Sequence, residues 1–314
     1  MKTVYLQEYI HPIAQKLLND KVKVIKNTEE IGTADAIITR NQFKVTEEIL
    51  EQASQLKIIG VHGTGMDNVA VAAAEKRGIT VFNTPGLNSL SVAELNVALS
   101  MNLLKNVTRA ACDIRNGVSM EQAKSIYKGN EITGKKIGFI GYGAIARQTA
   151  RILKNGFEAD IFAWSRSLTP QRAKQENLHF CANMEEVLKV SDIIFMGMTL
   201  TKETERIITL EKLKLCKKTA LLVNTARGKL IDEEDLYRAL TEHVIAGAAC
   251  DVFVKEPVSR ENTPLTELDN FIPTPHLGGN TEEALYRVGM AVVTGVLYRL
   301  GITLTDEELE KYQL

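Results

Sequence analysis

Three short segments of the 314-residue chain each carry a side chain suited to one reaction. Arg227 lies in "LLVNTARGKLID", Glu256 in "CDVFVKEP" and His276 in "PTPHLGGNT", each just beyond a run that reads as a strand. Reduction of a 2-keto acid needs a cation for the carboxylate, a proton donor for the carbonyl oxygen, and a group that orients the donor. A guanidinium supplies the cation as a two-pronged hydrogen-bonding fork and also polarises the carbonyl. An imidazole donates a proton as the oxygen gains charge, and accepts one in reverse. A carboxylate on the far ring nitrogen fixes the tautomer and favours the charged ring. Singly, each residue has a plainer reading: a salt-bridge partner, a solvent-facing glutamate before proline, a structural histidine. Together, after successive strands, they favour the chemical reading, because open parallel sheets bind ligands at the carboxyl ends of their strands.

A second constellation lies upstream. "KIGFIGYGAIARQTARIL" holds Gly141, Gly143 and Ala146 at a strand-to-helix junction. The first glycine permits the tight turn, the second lets a pyrophosphate approach the backbone, and the helix start offers N–H groups and partial positive charge. Ala146 stands where a third glycine would allow close helix packing, a tolerated exchange. The next strand ends in "AWSRS", so Ser165 occupies the position where an acidic residue holds the adenosine ribose. Serine removes a charge that would repel a 2′-phosphate, and Arg166 is placed to pair with one. NAD(P)H is therefore the expected cofactor, with NADPH weakly favoured over NADH.

These residues need strands to carry them, and the chain supplies two series. "TVYLQ", "VKVIK", "AIITR", "LKIIGV" and "ITVFN" come first; "KIGFIG", "DIFAWS", "DIIFMGM", "ALLVNTA", "GAACDVF" and "FIPTP" come after residue 135. Helical patterns separate most of them, which predicts α/β architecture with two doubly wound parallel-sheet domains. Between the series, "LSVAELNVALSMNLL" reads as a long bridging helix, with Ser91 and Glu94 spaced as a capping box and Leu90 as its hydrophobic staple. The last helical segment, "EEALYRVGMAVVTGVLYRL", is placed to cross back. The expected boundaries are 1–98 with 283–314 for the substrate domain and 99–282 for the inserted dinucleotide-binding domain.

Composition excludes several classes. Apolar content of 45%, charged content of 25% and a net charge of -1 describe an ordinary globular chain. Without a basic patch there is no case for nucleic acid or an anionic membrane, and no run of about 18 apolar residues suggests a span. The N-terminus enters a strand directly and lacks the apolar core of a signal peptide. The scattered Cys112, Cys181, Cys216 and Cys250 form no CxxC pair, which fits reduced thiols in the cytoplasm and no metal site.

"HGTGMDNV", "NTPGLNSLSVAE", "GYGAIA", "VNTARGKLIDEEDL", "AGAACDVFVKEP" and "PHLGGNT" occur in this order across nearly the whole chain. Together they resemble the D-isomer-specific 2-hydroxyacid dehydrogenases. The resemblance implies Arg227, Glu256 and His276 as the catalytic set. It also implies a cleft between a flavodoxin-like substrate domain and a Rossmann cofactor domain, usually in a homodimer. Cofactor contacts would come from Thr64, Gly141, Gly143, Ala144 and Ile145, then Ser165, Arg166 and Thr199. Thr225, Ala226, Arg227, Asp251, His276, Gly278 and Gly279 would complete them. Asp251 would meet the nicotinamide amide, a strand-end cap being its plainer role. Gly63, Thr64 and Gly65 would join Arg227 and His276 around the substrate, the glycines with free N–H groups. His62 reads as a wall residue rather than a second base.

The family pattern is broken in places. Thr199 stands where Pro is usual, and Val61 where phosphoglycerate dehydrogenases tend to carry arginine, leaving Arg40 as the nearby charge. The extra regulatory domain that some phosphoglycerate dehydrogenases carry is not expected here, and "WSRS" resembles NADPH-using glyoxylate and hydroxypyruvate reductases. A reductase of that type is the first expectation and 3-phosphoglycerate dehydrogenase the second. A dinucleotide-sensing, corepressor-like binding protein is a third, of a different class.

Overall fold

The computed structural model describes residues 1–40 and 42–312. They form two compact units, one of Met1–Asn88 with Gly279–Leu314 and one of Ser89–Gly278. The helix Ser89–Lys105, which the sequence divides near residue 98, lies whole in the second unit.

In the first unit, β1 (Thr3–Tyr5), β2 (Lys23–Ile25), β3 (Ala36–Thr39), β4 (Ile58–Val61) and β5 (Thr80–Asn83) pair in parallel in the order β2-β1-β3-β4-β5. This is the flavodoxin-type order. β3 and β4 are buried along their whole length, which explains their unbroken apolar runs. Alternate residues feed opposite faces: Val4, Ala36, Ile38 and Ile58 enter one core, Tyr5, Ile37 and Ile59 the other. The first of these cores is closed by the helix Pro12–Lys21, through Ala14, Leu17 and Leu18, and by the helix Glu282–Arg299, through Val292, Val293 and Val296. The helix Glu282–Arg299 thus belongs to the first unit, where a further short helix, Asp306–Lys311, follows it.

The second unit is built on β6 (Lys136–Ile140), β7 (Asp160–Trp164), β8 (His179–Phe180), β9 (Ile193–Met196), β10 (Leu221–Asn224), β11 (Gly247–Cys250) and β12 (Phe271–Pro273). All pair in parallel, in the order β12-β11-β10-β9-β6-β7-β8, which is the Rossmann order with one strand added. β8 escaped the sequence pattern because two residues carry no periodicity. Phe139, Phe195, Val223 and Ala249 point to one face, and Ile140, Met196, Leu222 and Ala248 to the other. Among the described residues no helix is long and apolar enough to cross a membrane.

The capping box expected at Ser91 does not form the start of the long helix. The helix begins at Ser89, so Ser91 already lies inside it, buried, with its hydroxyl donating to the Gly278 carbonyl at 2.6 Å. Leu90 is exposed.

Candidate active site

The register of the second sheet brings the candidate residues to one edge. Ile140, Met196, Asn224, Cys250 and Pro273 form one row across β6, β9, β10, β11 and β12. The glycine turn leaves the row after Ile140, and the loops carrying Arg227, Glu256 and His276 leave it from β10, β11 and β12. Parallel neighbours are about 4.8 Å apart, so β10 and β12 are separated by roughly 10 Å.

His276 sits in the left-handed region at φ 55°, with its N–H donating to the carbonyls of Asp251 and Thr274, both at 3.0 Å. Its Nδ1 lies 2.9 Å from Glu256 Oε2. An ionised carboxylate only accepts, so Nδ1 carries the hydrogen and Nε2 is left to exchange a proton. The second Glu256 oxygen, Oε1, accepts the Phe253 N–H at 3.1 Å. Burial pushes the Glu256 carboxyl up, but the hydrogen bond and charge of His276, the Phe253 N–H and the Arg227 charge outweigh it and hold the group below its usual range. Glu256 is therefore a carboxylate near neutral pH, hydrogen-bonded to His276 and within electrostatic reach of Arg227.

The loop bearing Arg227 is locked by its neighbours. Asn224, buried at the end of β10, accepts from the Ala226 N–H at 3.0 Å and donates to the Arg227 carbonyl at 2.9 Å. Arg227 Nη1 donates to the Ala226 carbonyl at 2.7 Å. The following residue must be glycine: a Cβ on Gly228 would lie 2.0 Å from the Phe253 carbonyl carbon. That close approach presses the Arg227 loop against the loop that leads to Glu256.

Asp251, 1% exposed, organises the histidine loop. Its carboxylate accepts from Thr274 Oγ1 at 2.6 Å, the Leu277 N–H at 2.7 Å and the Gly278 N–H at 2.8 Å. Burial raises its pKa against those bonds. All three bonds go to the loop, which is the capping role weighed against a cofactor contact in the sequence.

The glycine turn has the shape a dinucleotide requires. Gly141 has φ 95°, and a Cβ there would meet the Gly197 backbone at 2.4 Å, so no other residue fits. Gly143, exposed, opens the helix Ala144–Phe157 without a side-chain cap, and nothing lies within 4 Å of where its Cβ would be. Ala144 is exposed, Ile145 half-buried. Ser165 Oγ is buried without a hydrogen-bond partner, and Arg166 beside it is exposed. Uncapped helical N–H groups, an open approach and an unpartnered hydroxyl all fit a bound dinucleotide. Thr199 is exposed after β9, its carbonyl accepting from Thr204 Oγ1 at 2.8 Å. Gly278 closes the second unit, and Gly279 opens the returning segment of the first.

In the first unit, Gly63, Thr64 and Gly65 follow β4. The Gly63 N–H is not free: it donates to Thr84 Oγ1 at 2.9 Å and to the Val61 carbonyl at 3.0 Å. That expectation is corrected for Gly63, since the fold of the turn consumes its donor. The carbonyl of Thr64 accepts from Asn83 Nδ2 at 2.6 Å. His62 is 5% exposed, and burial, then the Arg40 charge, lower its pKa to about 4. The ring is therefore buried and neutral near pH 7. Arg40 itself donates to Asn280 Oδ1 at 3.1 Å.

Two residues at the site were missed in the sequence. Asn224 ends an apolar strand, and Asn96 lies on the buried face of the helix Ser89–Lys105. For Asn96 a signal was present: it follows Val92 by one turn on the stripe that leads to Leu99 and Leu103.

Comparison with known proteins agrees with this architecture. Residues 97–278 match the family model described as D-isomer specific 2-hydroxyacid dehydrogenase, NAD binding domain. The chain is 37% identical over 300 residues to a D-3-phosphoglycerate dehydrogenase of Methanocaldococcus jannaschii, covering 93% of this chain and 56% of that protein. It is 36% identical over 274 residues to a hydroxypyruvate reductase of Thermotoga maritima, covering 87% of each. Among solved structures, a D-lactate dehydrogenase of Aquifex aeolicus, complexed with NAD and lactic acid, superposes with a TM-score of 0.81 at 26% identity over 96% of both chains. The chain thus spans about half the length of the phosphoglycerate dehydrogenase and most of the reductase. It belongs to the D-isomer-specific 2-hydroxyacid dehydrogenase family.

Proposed function

We propose that the chain is an NAD(P)H-dependent reductase of small 2-keto acids, interconverting them with D-2-hydroxy acids, and that glyoxylate or hydroxypyruvate is its type of substrate. The observation that carries this reading is the pair His276 Nδ1 and Glu256 Oε2 at 2.9 Å, with Arg227 anchored on the neighbouring loop, two strands along the same sheet edge from the uncapped glycine turn. A bound nicotinamide supplies the hydride that adds to C2 of the keto acid. Arg227 grips the carboxylate and draws charge toward the carbonyl oxygen. His276 Nε2–H gives that oxygen its proton, and Glu256 holds the ring and stabilises its charged form. In the oxidative direction Nε2 takes the proton back. Gly141, Gly143, Ala144 and Ile145 would hold the pyrophosphate; Thr64, Thr199, Thr225 and Ala226 are proposed to contact the remainder of the dinucleotide. Thr64 and Gly65 are the substrate-contact residues proposed for the first unit.

NADPH is the preferred cofactor in this reading, because Ser165 is neutral and Arg166 is exposed beside it. A homodimer is supported by apolar residues left exposed on two neighbouring helices, Val107 and Ile114 on Val107–Arg115, Met120 and Ile126 on Met120–Ile126. Four free cysteines, Cys112 among them exposed, suit a cytoplasmic setting. A second reading, 3-phosphoglycerate as substrate, is favoured by the 37% identity to a phosphoglycerate dehydrogenase and by the Arg40 charge.

The test is absorbance at 340 nm with NADPH or NADH and a panel of glyoxylate, hydroxypyruvate, pyruvate and 3-phosphohydroxypyruvate. Turnover of the small unphosphorylated acids is expected. Turnover confined to the phosphorylated acid would favour the second reading. Cofactor binding with no turnover at all would favour a dinucleotide-sensing protein.

A further inference from the structure

We propose that two buried polar side chains on the helix Ser89–Lys105, Asn96 and Ser91, are positioning residues that set Arg227 and His276 separately. The proposal rests on the roles just assigned to those two groups.

Asn96 is 3% exposed on a helix face otherwise lined by Val92, Ala93 and Leu99. A buried amide is costly unless hydrogen-bonded, and the cost is met by two contacts to other elements. Its Oδ1 accepts from Thr225 Oγ1 at 2.8 Å, and its Nδ2 donates to Thr149 Oγ1 at 3.1 Å. Thr149, fully buried, passes its own proton to the Ile145 carbonyl at 3.0 Å. One amide thereby joins the first turn of the glycine-turn helix to the loop two residues before Arg227. Asn224 holds the same loop from the strand side, so the arginine's backbone is fixed from both directions.

Ser91 makes the corresponding contact on the other loop. Its hydroxyl donates at 2.6 Å to the carbonyl of Gly278, two residues beyond His276. Gly278 also gives its N–H to Asp251, and a Cβ on it would meet Val92 of the helix at 3.2 Å. The histidine loop is thus seated on the helix at Ser91 and Val92, the arginine loop one turn further along at Asn96. Neither Ser91 nor Asn96 reaches the reacting groups; each acts through a backbone segment.

The two groups do different work, and the consequences of loosening them differ. Arg227 binds the carboxylate in ground and transition states alike and only adds to this by polarising the carbonyl, so losing its alignment raises KM chiefly and lowers kcat to a smaller degree. His276 acts on the proton in flight, so losing its alignment lowers kcat. Asn96→Leu keeps the branching and the heavy-atom count of the side chain, though leucine is the bulkier, and removes both hydrogen bonds; Ser91→Ala removes one. In steady-state reduction of hydroxypyruvate, Asn96→Leu is expected to raise KM about tenfold with kcat within threefold. Ser91→Ala is expected to lower kcat about tenfold with KM within threefold. Binding of NADPH alone, read by fluorescence, should change less than twofold in both, and the thermal midpoint should fall only slightly. Thr225→Val removes the Asn96 contact from its other end, so at saturating NADPH the KM for hydroxypyruvate in the double variant with Asn96→Leu should be no higher than in the poorer single one.

Identical kcat and KM changes in the two variants would overturn the proposal, as would a lowered thermal midpoint with unaltered kinetics. A wild-type chain that reduces no keto acid would instead defeat the roles of Arg227 and His276. An active wild type with unsplit variants would defeat the positioning alone.

Discussion

Replacing Glu256 by glutamine isolates the electrostatic part of its role, because the amide keeps an acceptor oxygen and nearly the same shape. The wild-type carboxylate lies 2.9 Å from Nδ1 of His276, with each side chain 36% exposed. Charges about 4 Å apart attract by about 4 kcal/mol at an effective dielectric of 20 and about 1 kcal/mol in water. A pair exposed by a third is screened toward the weaker limit, which leaves about 2 kcal/mol for stabilising the charged ring. At 1.36 kcal/mol per decade that is a loss of about 30-fold in kcat. KM for the keto acid should stay within threefold, since Arg227 still holds the carboxylate. Stopped-flow absorbance at 340 nm with saturating NADPH measures the chemical step directly. A variant retaining more than a third of wild-type kcat would refute the claim that the Glu256 charge acts through the imidazole. A loss confined to KM would place Glu256 at the substrate carboxylate instead.

Other perturbations test different joints of the account. Gly228→Ala forces a Cβ into the Phe253 backbone at 2.0 Å, and overpacking costs about 1–3 kcal/mol, so the melting temperature should fall by roughly 5 °C and activity with it; unaltered melting would show that the two loops part easily. Arg166→Ala should weaken NADPH about tenfold and NADH less than twofold, measured by fluorescence titration; equal losses would remove the 2′-phosphate contact. Asp232 caps the helix Glu233–Thr241 and pairs with Arg206. Burial pushes its carboxyl up, but Arg206 and the N–H groups of Asp235 and Glu234 hold it below its usual 3.8. A depressed carboxylate pKa stabilises the fold above that value and stops doing so as pH falls through the folded pKa. Asp232→Asn keeps a cap and loses the charge, so it should melt about 2–4 °C lower at pH 7, with the gap closing below pH 3.8. A gap that persists at low pH would count against the ion pair.

Much of this was legible in the sequence because parallel strands buried on both faces must be continuously apolar. "KIGFI", "DIIFM" and "LLVN" announce themselves for that reason, and the catalytic candidates could be read by their place just after such runs. The glycine turn was equally readable, since Gly141 is demanded by backbone geometry rather than by distant packing. Long-range hydrogen bonding was not. Ser91 looked like a helix cap because its spacing to Glu94 is local, yet its partner is Gly278, far along the chain. The Gly63 donor looked free because nothing in "VHGTG" shows Thr84 closing on it. The three donors that Asp251 receives from its own following loop were likewise invisible, since only the fold brings Thr274, Leu277 and Gly278 back to it. The two-residue strand β8 has too few side chains to show a period.

Proton donation by His276 is the step on which the proposed reaction depends most. Single-turnover reduction of hydroxypyruvate by NADPH-loaded protein, compared between wild type and His276→Ala, measures that role. The expected result is a rate lower by a factor of about 10²–10⁴, with NADPH binding unchanged within twofold. A variant that consumes NADPH at a rate close to wild type would contradict it.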